Sequence, residues 1–217
     1  MTERAARHVR QSPERFEVGP SALHWTGDAL EITFDELSTP HLQRIRGRVR
    51  VMPEGVTEIE VPLHGARHIW RPYAPVARIE VAVERPGWEW TGHGYFDANF
   101  GTAALEADFS YWTWARLPVR GGTASFYDAT RRDGSALAVA LKFGADGAVS
   151  EIEAPPMVPF HRGFWQVRRA ARSEAGCRPR QVQAMLDAPF YNRSAIRTKV
   201  LGEETVGVHE ALDLDRL

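Results

Sequence analysis

Short runs in which apolar and polar residues alternate make up most of the chain, and Gly, Pro and Asp separate them. A period of two sends successive side chains to opposite faces of a strand. Arg44–Met52 alternates basic and apolar residues, with Ile45, Gly47, Val49 and Val51 on one side. Ala77–Glu84 repeats the pattern with Ile79, Val81 and Val83. Leu30–Phe34 follows a Thr-Gly-Asp turn. Thr123–Ala129 and Ala136–Phe143 flank Asp133–Gly134 and predict a hairpin. Asp146–Gly147 marks another turn, and Thr198–Leu201 with Thr205–Leu212 predicts a last hairpin around Gly202–Glu204. Glu153–Pro159 reads as a linker, and Arg168–Pro179 is where a short helix is expected. Strands at this spacing predict an all-β chain, a sandwich or barrel.

Composition narrows the function classes. The chain has 217 residues, enough for one large domain or two small ones. Lys and Arg number 27 against 28 Asp and Glu, so no basic footprint for nucleic acid is present. A lone cysteine, Cys177, excludes an internal disulfide and a multi-cysteine zinc site. No apolar run approaches the ~18 residues of a membrane-spanning helix. Residues 1–16 lack the apolar core of a secretory signal. Seven tryptophans point to a packed β interior or an apolar ligand cavity.

The candidate chemistry is concentrated in Trp88–Arg116. If Trp88–Phe100 is one strand, Glu89, Thr91, His93, Tyr95, Asp97 and Asn99 share a face, opposite Trp88, Trp90, Phe96 and Phe100. Asp97 sits between aromatic and small residues, where an unpaired carboxylate is costly. Two readings stay open. Asn99, His93 or an arginine satisfies it, or its pKa is raised for acid work. The next strand, Glu106–Leu117, is bulky on both faces, with Phe109 and Tyr111 opposite Trp112 and Trp114. Upstream, His68 and Trp70 share a face, and Pro72 closes that run. No HExxH, GxSxG, P-loop or dinucleotide fingerprint occurs.

The segment GHGYFDANFG, Gly92–Gly101, resembles the Gly-x-Gly-Tyr-His-Asp-x-Asn-Trp-Gly signature of the acyclic carotenoid 1,2-hydratases, also called hydroxyneurosporene synthases. LEADFSYWTWAR (Leu105–Arg116), HIWRPYAP (His68–Pro75), FYDATRRDGS (Phe126–Ser135), DAPFYNRS (Asp187–Ser194) and GEETVGVHEALDL (Gly202–Leu214) resemble the same family, in order. Phe96 stands where the signature has His, and Phe100 where it has Trp. Both have the parity opposite Asp97, so they are expected to tune packing. Met1–Arg4 resembles an internal part of the family pattern, so the first β half is expected to be incomplete, with an exposed edge.

The resemblance implies two lipocalin-like antiparallel barrel or sandwich halves, divided here as 1–150, carrying the site motifs, and 151–217. It implies addition of water across the terminal C1–C2 double bond of neurosporene or lycopene, with no metal and no organic cofactor. The assigned roles rest on strand parity and on the resemblance together. Asp97 is the general acid and Tyr95 orients it or the water. His68 is the base or proton relay, and Trp70 faces the cation or polyene. His93, Asn99, Trp112 and Trp114 line or orient the substrate. The expected partner is an acyclic carotenoid drawn from a membrane, which makes the protein cytoplasmic and peripherally membrane-associated. An apolar-ligand carrier and a polyene cyclase are the alternatives that the same aromatic interior would serve.

Overall fold

A computed structural model of the chain describes residues 4–38 and 41–217; Met1–Glu3, part of the segment expected to join the family pattern midway, lie outside the described residues. Nearly all regular structure is antiparallel strand. The chain divides into two units, Met1–Val56 with Ala74–Phe96, and Thr57–Tyr73 with Asp97–Leu217.

The first unit is a meander. Strands β1 (Val9–Gln11), β2 (Arg15–Val18), β3 (Ser21–Trp25), β4 (Leu30–Leu37) and β5 (Arg44–Pro53) each pair with the next. Strand β6 is the short Val61–Pro62, and two long strands follow, β7 (His68–Arg85) and β8 (Trp88–Gly101). Pairing β5 with the later part of β7 sets Gly47 opposite Val83, Val49 opposite Val81 and Val51 opposite Ile79. These are the apolar positions that the period of two aligned. Of these, Val51 forms a buried core with Leu30 and Ala77, and Val49, Ile79, Leu23, Trp25, Ile32 and Phe96 pack against it. Phe96 thus packs here as an apolar side chain, on the face away from Asp97.

Pro72 does not close its run, because β7 continues through it to Arg85. Proline lacks only the N–H donor. In this stretch the neighbouring backbone draws on carbonyls: Thr57 Oγ1 donates to Pro72 O, Thr57 N to Tyr73 O, and Glu54 N to Val76 O.

The second unit is built on a seven-stranded sheet. One turn of helix, α1 (Leu105–Asp108), precedes β9 (Phe109–Val119), so that strand starts three residues later than its apolar pattern suggests. Then come β10 (Gly122–Arg131), β11 (Ala136–Gly144), β12 (Val149–Glu151), β13 (Met157–Pro159), β14 (Ala170–Arg172), β15 (Arg180–Asp187), β16 (Tyr191–Val200) and β17 (Glu203–Asp213). The order is β12-β11-β10-β9-β17-β16-β15, an open path with β12 and β15 at its edges. Both predicted hairpins form. Gly134 takes φ +83° in the first, and Leu201–Gly202 turn the second with φ +51° and +79°. The expected helix does not. Val167, Arg169, Ala171 and Ser173 are buried at every second position, and β14 pairs with β13 inside the supposed linker. That burial has the period of a strand.

One face of the sheet is a dry core of Ala115, Leu117, Ala124, Phe126, Ile196 and Val200, covered by Ala171. Polar side chains are sealed against it as well, among them Arg169 and His209. Arg169 bonds His161 O, Gln181 Oε1 and Ser194 Oγ. His209 donates Nε2–H to Ala170 O at 2.8 Å and meets the Phe160 ring edge-on.

Two tests follow from this packing. A Cβ at Gly101 would lie 1.8 Å from the Arg67 carbonyl oxygen, whereas one at Gly92 meets nothing nearer than 3.6 Å. Gly101→Ala is therefore expected to destabilise the chain by about 2–3 kcal/mol, and Gly92→Ala by about 0.5 kcal/mol at most, in urea denaturation. Burial pushes the His209 imidazole down to about 4 from 6.5. Its contribution is complete above pH 6.5 and is lost as the pH falls toward 4, because the unfolded chain takes up a proton that the fold excludes. The loss amounts to about 3 kcal/mol. His209→Gln, whose amide can still donate to Ala170, should lose less stability between about pH 7 and pH 4.5.

Candidate active site

Large aromatic and charged side chains gather on the face of the seven-stranded sheet opposite the dry core. Direct pairing aligns Tyr127 of β10, Trp114 of β9, Glu210 of β17 and Arg193 of β16 in one row across four strands. Paired residues project to the same face. The next rows add Trp112, Leu212 and Tyr191 on one side, and Arg116 and Val208 on the other. Large aromatics and charges alternate where an ordinary core would be aliphatic.

Asp97 lies in the second unit with this face. Its Oδ2 accepts the indole N–H of Trp70 at 2.9 Å. Trp70 is buried, with its ring 5.8 Å from Tyr127 and edge-on to Phe143 at 6.2 Å. Tyr127 in turn stacks on Trp112 at 4.8 Å and 23°. The partner of Asp97 is thus a tryptophan N–H, which the spacing along β8 could not suggest. Burial raises the Asp97 pKa; the Trp70 hydrogen bond and the charges of Arg193 and Arg116 oppose it. Burial also raises Glu210, against Arg193, whose Nε lies 3.3 Å from Glu210 Oε1. Asp97 adds to that rise, and both carboxyls lift the Tyr127 hydroxyl beyond what its own burial does. Asp97, Glu210 and Tyr127 therefore form one electrostatically coupled group.

His68, buried, forms a second cluster. It donates Nε2–H to Asp108 Oδ2 at 2.7 Å, and the same oxygen accepts from Arg67 Nε at 2.8 Å. The Arg67 hydrogen bond lowers the Asp108 pKa, and the His68 bond assists, so Asp108 is a fixed anion. The other ring nitrogen of His68, Nδ1, is not engaged by Asp108. His68 and Asn99 line a common cavity of about 330 Å³ with Leu63, Phe100 and Leu105. Asn99 Oδ1 accepts from the Tyr127 hydroxyl at 3.5 Å, so Asn99 touches the aromatic cluster as well.

The residues read from the sequence are distributed as follows. Asp97, Trp70, Trp112 and Asn99 come together around Tyr127. Trp114 is buried in the row between Tyr127 and Glu210. His68 stands with Asp108. Tyr95, half-buried, and His93, exposed, are on the stretch of β8 that belongs to the first unit. Sequence reasoning missed Tyr127, Glu210, Arg193 and Asp108. Tyr127 and Glu210 lie inside segments already matched to the family pattern, but only cross-strand register gathers them into one row.

Comparison with known proteins comes to the same place. The family model described as "Carotenoid hydratase CrtC" matches residues 1–217. An acyclic carotenoid 1,2-hydratase of Cereibacter sphaeroides is 55% identical over 218 residues, covering 100% of this chain and 78% of that protein. The Rhodobacter capsulatus enzyme of the same name is 52% identical, with the same coverage of 100% and 78%. That of Thiocapsa roseopersicina is 44% identical, covering 100% of this chain and 54% of its own length. Among solved structures, the chain resembles a crystal structure of an ATTH protein of Nitrosomonas europaea, with TM-score 0.66, 12% identity, and coverage of 96% and 72%. It also resembles CghA in complex with Sch210972, with TM-score 0.57, 12% identity, and coverage of 94% and 68%. These two likenesses concern the fold alone.

The Asp97–Trp70 contact makes a direct test. Trp70→Phe removes the N–H that holds the carboxyl down, so the Asp97 pKa should rise further. Carboxyl NMR titration of aspartate-labelled protein measures it. An unmoved or lowered Asp97 would contradict the hydrogen bond as described.

Proposed function

The chain belongs to the carotenoid hydratase CrtC family and has that family's hydro-lyase function; from this premise we propose that it hydrates the terminal C1–C2 double bond of acyclic carotenoids such as neurosporene and lycopene, with Asp97 as the general acid. The observation that carries this reading is a desolvated carboxyl hydrogen-bonded to the indole of Trp70, whose ring packs against Tyr127 and through it adjoins Trp112.

The chemistry asks for such an arrangement. A trisubstituted alkene is a weak base, and an aqueous carboxylic acid is a poor donor to it. A carboxyl whose pKa is raised by burial keeps its proton nearer neutral pH. Proton transfer from Asp97 to C2 forms the new C–H bond and leaves a tertiary cation at C1. Aromatic faces stabilise a desolvated cation by about 2 kcal/mol, and Trp70 is assigned that role. Water then adds its oxygen to C1. His68 Nδ1, with the ring oriented by Asp108, takes the surplus proton, and a proton returned to Asp97 closes the cycle. Tyr95 orients the acid or the water; Asn99, Trp112, Trp114 and His93 line the path or orient the substrate. The net change is one alkene and one water to one tertiary alcohol, and the steps use no metal and no organic cofactor.

The substrate dissolves in lipid. Among the described residues no helix is long and apolar enough to cross a membrane. We therefore place the enzyme at the membrane surface on the cytoplasmic side, as a peripheral protein that takes carotenoid from the bilayer.

In ¹⁸O-labelled water with lycopene, the product should gain one labelled oxygen, and in D₂O one deuterium at C2. Asp97→Asn should lower kcat by about 10²–10⁴-fold, the range for a lost general acid. Trp70→Phe, which keeps an aromatic face but loses the donor, should lower kcat by about tenfold to thirtyfold. An Asp97→Asn enzyme working at the native rate would sink the assignment. Lycopene returned unchanged would favour a carrier, and an isomerised product without label in oxygen would favour a cyclase.

A further inference from the structure

In the second unit, exposed large apolar side chains occur together on the loop at Phe164–Trp165 and on the edge strand β15, to which that loop is joined. Phe164 is 84% exposed and Trp165 45%; on the edge strand β15, Val182 is 52% exposed, Met185 52% and Leu186 50%. Loop and strand are joined. Phe164 N donates to Asp187 Oδ2 at 2.6 Å, at the end of β15, and buried Arg169 ties His161 O to Gln181 Oε1, near its start. The loop is also held rigidly. Trp165 O accepts from Arg216 at 2.9 Å, Gln166 N closes a turn on Gly163 O at 3.1 Å, and the two rings meet edge to face at 5.4 Å. A tethered backbone that keeps two aromatic rings in water exposes apolar surface that a soluble protein ordinarily covers.

Two features say what covers it. First, the pairing of β15 with β16 skips Val182 and Met185, which are the extra residues of two bulges. Bulges spoil an edge for the addition of another strand and push their side chains outward. The edge is thus poorly made for a second copy of the chain. Second, the rim is basic. Arg162, Arg168, Arg178 and Arg180, which flank the loop and β15 along the chain, are exposed. The nearby acids are engaged: Asp187 by Phe164 N, Asp213 by Arg216, and Glu174 by Lys199. Aromatic and aliphatic tips inside an arginine rim match an anionic lipid surface, with the rings at headgroup depth. The loop also touches the seven-stranded sheet, since Arg168 lies 4.1 Å over the ring of Tyr111 in β9, on the face opposite Trp112.

We propose that the Phe164–Trp165 loop and the bulged edge strand β15 together form the face by which this protein docks on anionic membranes. The proposal rests on the reading that substrate is drawn from a bilayer, and it names the surface that does so.

Sedimentation of the full chain with vesicles tests it without any need for catalysis. The protein should follow phosphatidylcholine/phosphatidylglycerol vesicles, follow pure phosphatidylcholine weakly, and be released by high salt. Phe164→Ser with Trp165→Ser, and separately Met185→Ser with Leu186→Ser, should each weaken partitioning by tenfold or more. Arg162→Glu with Arg168→Glu should abolish the preference for anionic lipid. Trp88→Ser with Trp90→Ser, exposed aromatics of the first unit, should leave partitioning unchanged. Wild-type protein that ignores anionic vesicles, or patch variants that bind as wild type does, would overturn the proposal. So would a dimer that dissolves in the patch variants while their vesicle binding persists, since the face would then join two copies. Hydration of lycopene in detergent micelles is read separately. Patch variants should retain it, and its absence from the wild type would count against the proposed reaction, not against the docking face.

Discussion

Putting a carboxyl group among tryptophans and a tyrosine is the constraint on which the second unit depends. Asp97 loses water on burial and recovers one strong hydrogen bond, from Trp70. That exchange leaves the acid form favoured relative to an exposed aspartate, and it costs the fold stability in its charged form. The surrounding charges show how the cost is limited. Arg193 and Arg116 supply positive potential, and Arg193 does the same for Glu210 across the strand pair. A site with both carboxyls fully ionised, or with no cation nearby, would be harder to hold together.

The sheet meets this demand by dividing its two faces. Parity sends Ala115, Leu117, Phe126, Ile196 and Val200 to a dry core and sends Trp112, Trp114, Tyr127 and Glu210 the other way. The core side supplies the apolar burial that offsets a polar, aromatic working face. Even there, polar groups are sealed in. Arg169 gathers three acceptors that join the loop at His161 to β15 and β16, and His209 fastens β17 to β14. Their burial orders segments that have few strand partners of their own. The same Arg169 that closes the core thereby fixes the loop carrying Phe164 and Trp165.

Function in this reading depends on moving an apolar chain from lipid to a half-buried acid. The edge strand β15 is unsuited to further pairing because two bulges break its register, and those bulges turn apolar side chains outward. One irregularity thus both limits edge-to-edge association and leaves an apolar rim available for lipid.

Much of the fold was legible in the sequence, because a half-buried strand writes its period of two directly into the chain. The pairing of Val49 with Val81 and Val51 with Ile79, and the Asp133–Gly134 turn, follow from local pattern and turn chemistry. The family was legible too, since the motifs lie in order along the chain. What failed was local in a different way. Arg168–Pro179 looked helical because its charged residues hide a strand's burial period, and Pro72 looked like a terminus although its carbonyl is the group in use. The partner of Asp97, the Tyr127–Trp114–Glu210–Arg193 row and the His68–Asp108 pair were not legible. They join residues from 27 to 40 positions apart or across four strands, and only the tertiary register decides which side chains meet. Sequence alone determined the strands, their faces and the kinship; the tertiary structure decided which acid is desolvated, by what, and with which neighbours, because desolvation and charge coupling depend on distance in space and not along the chain.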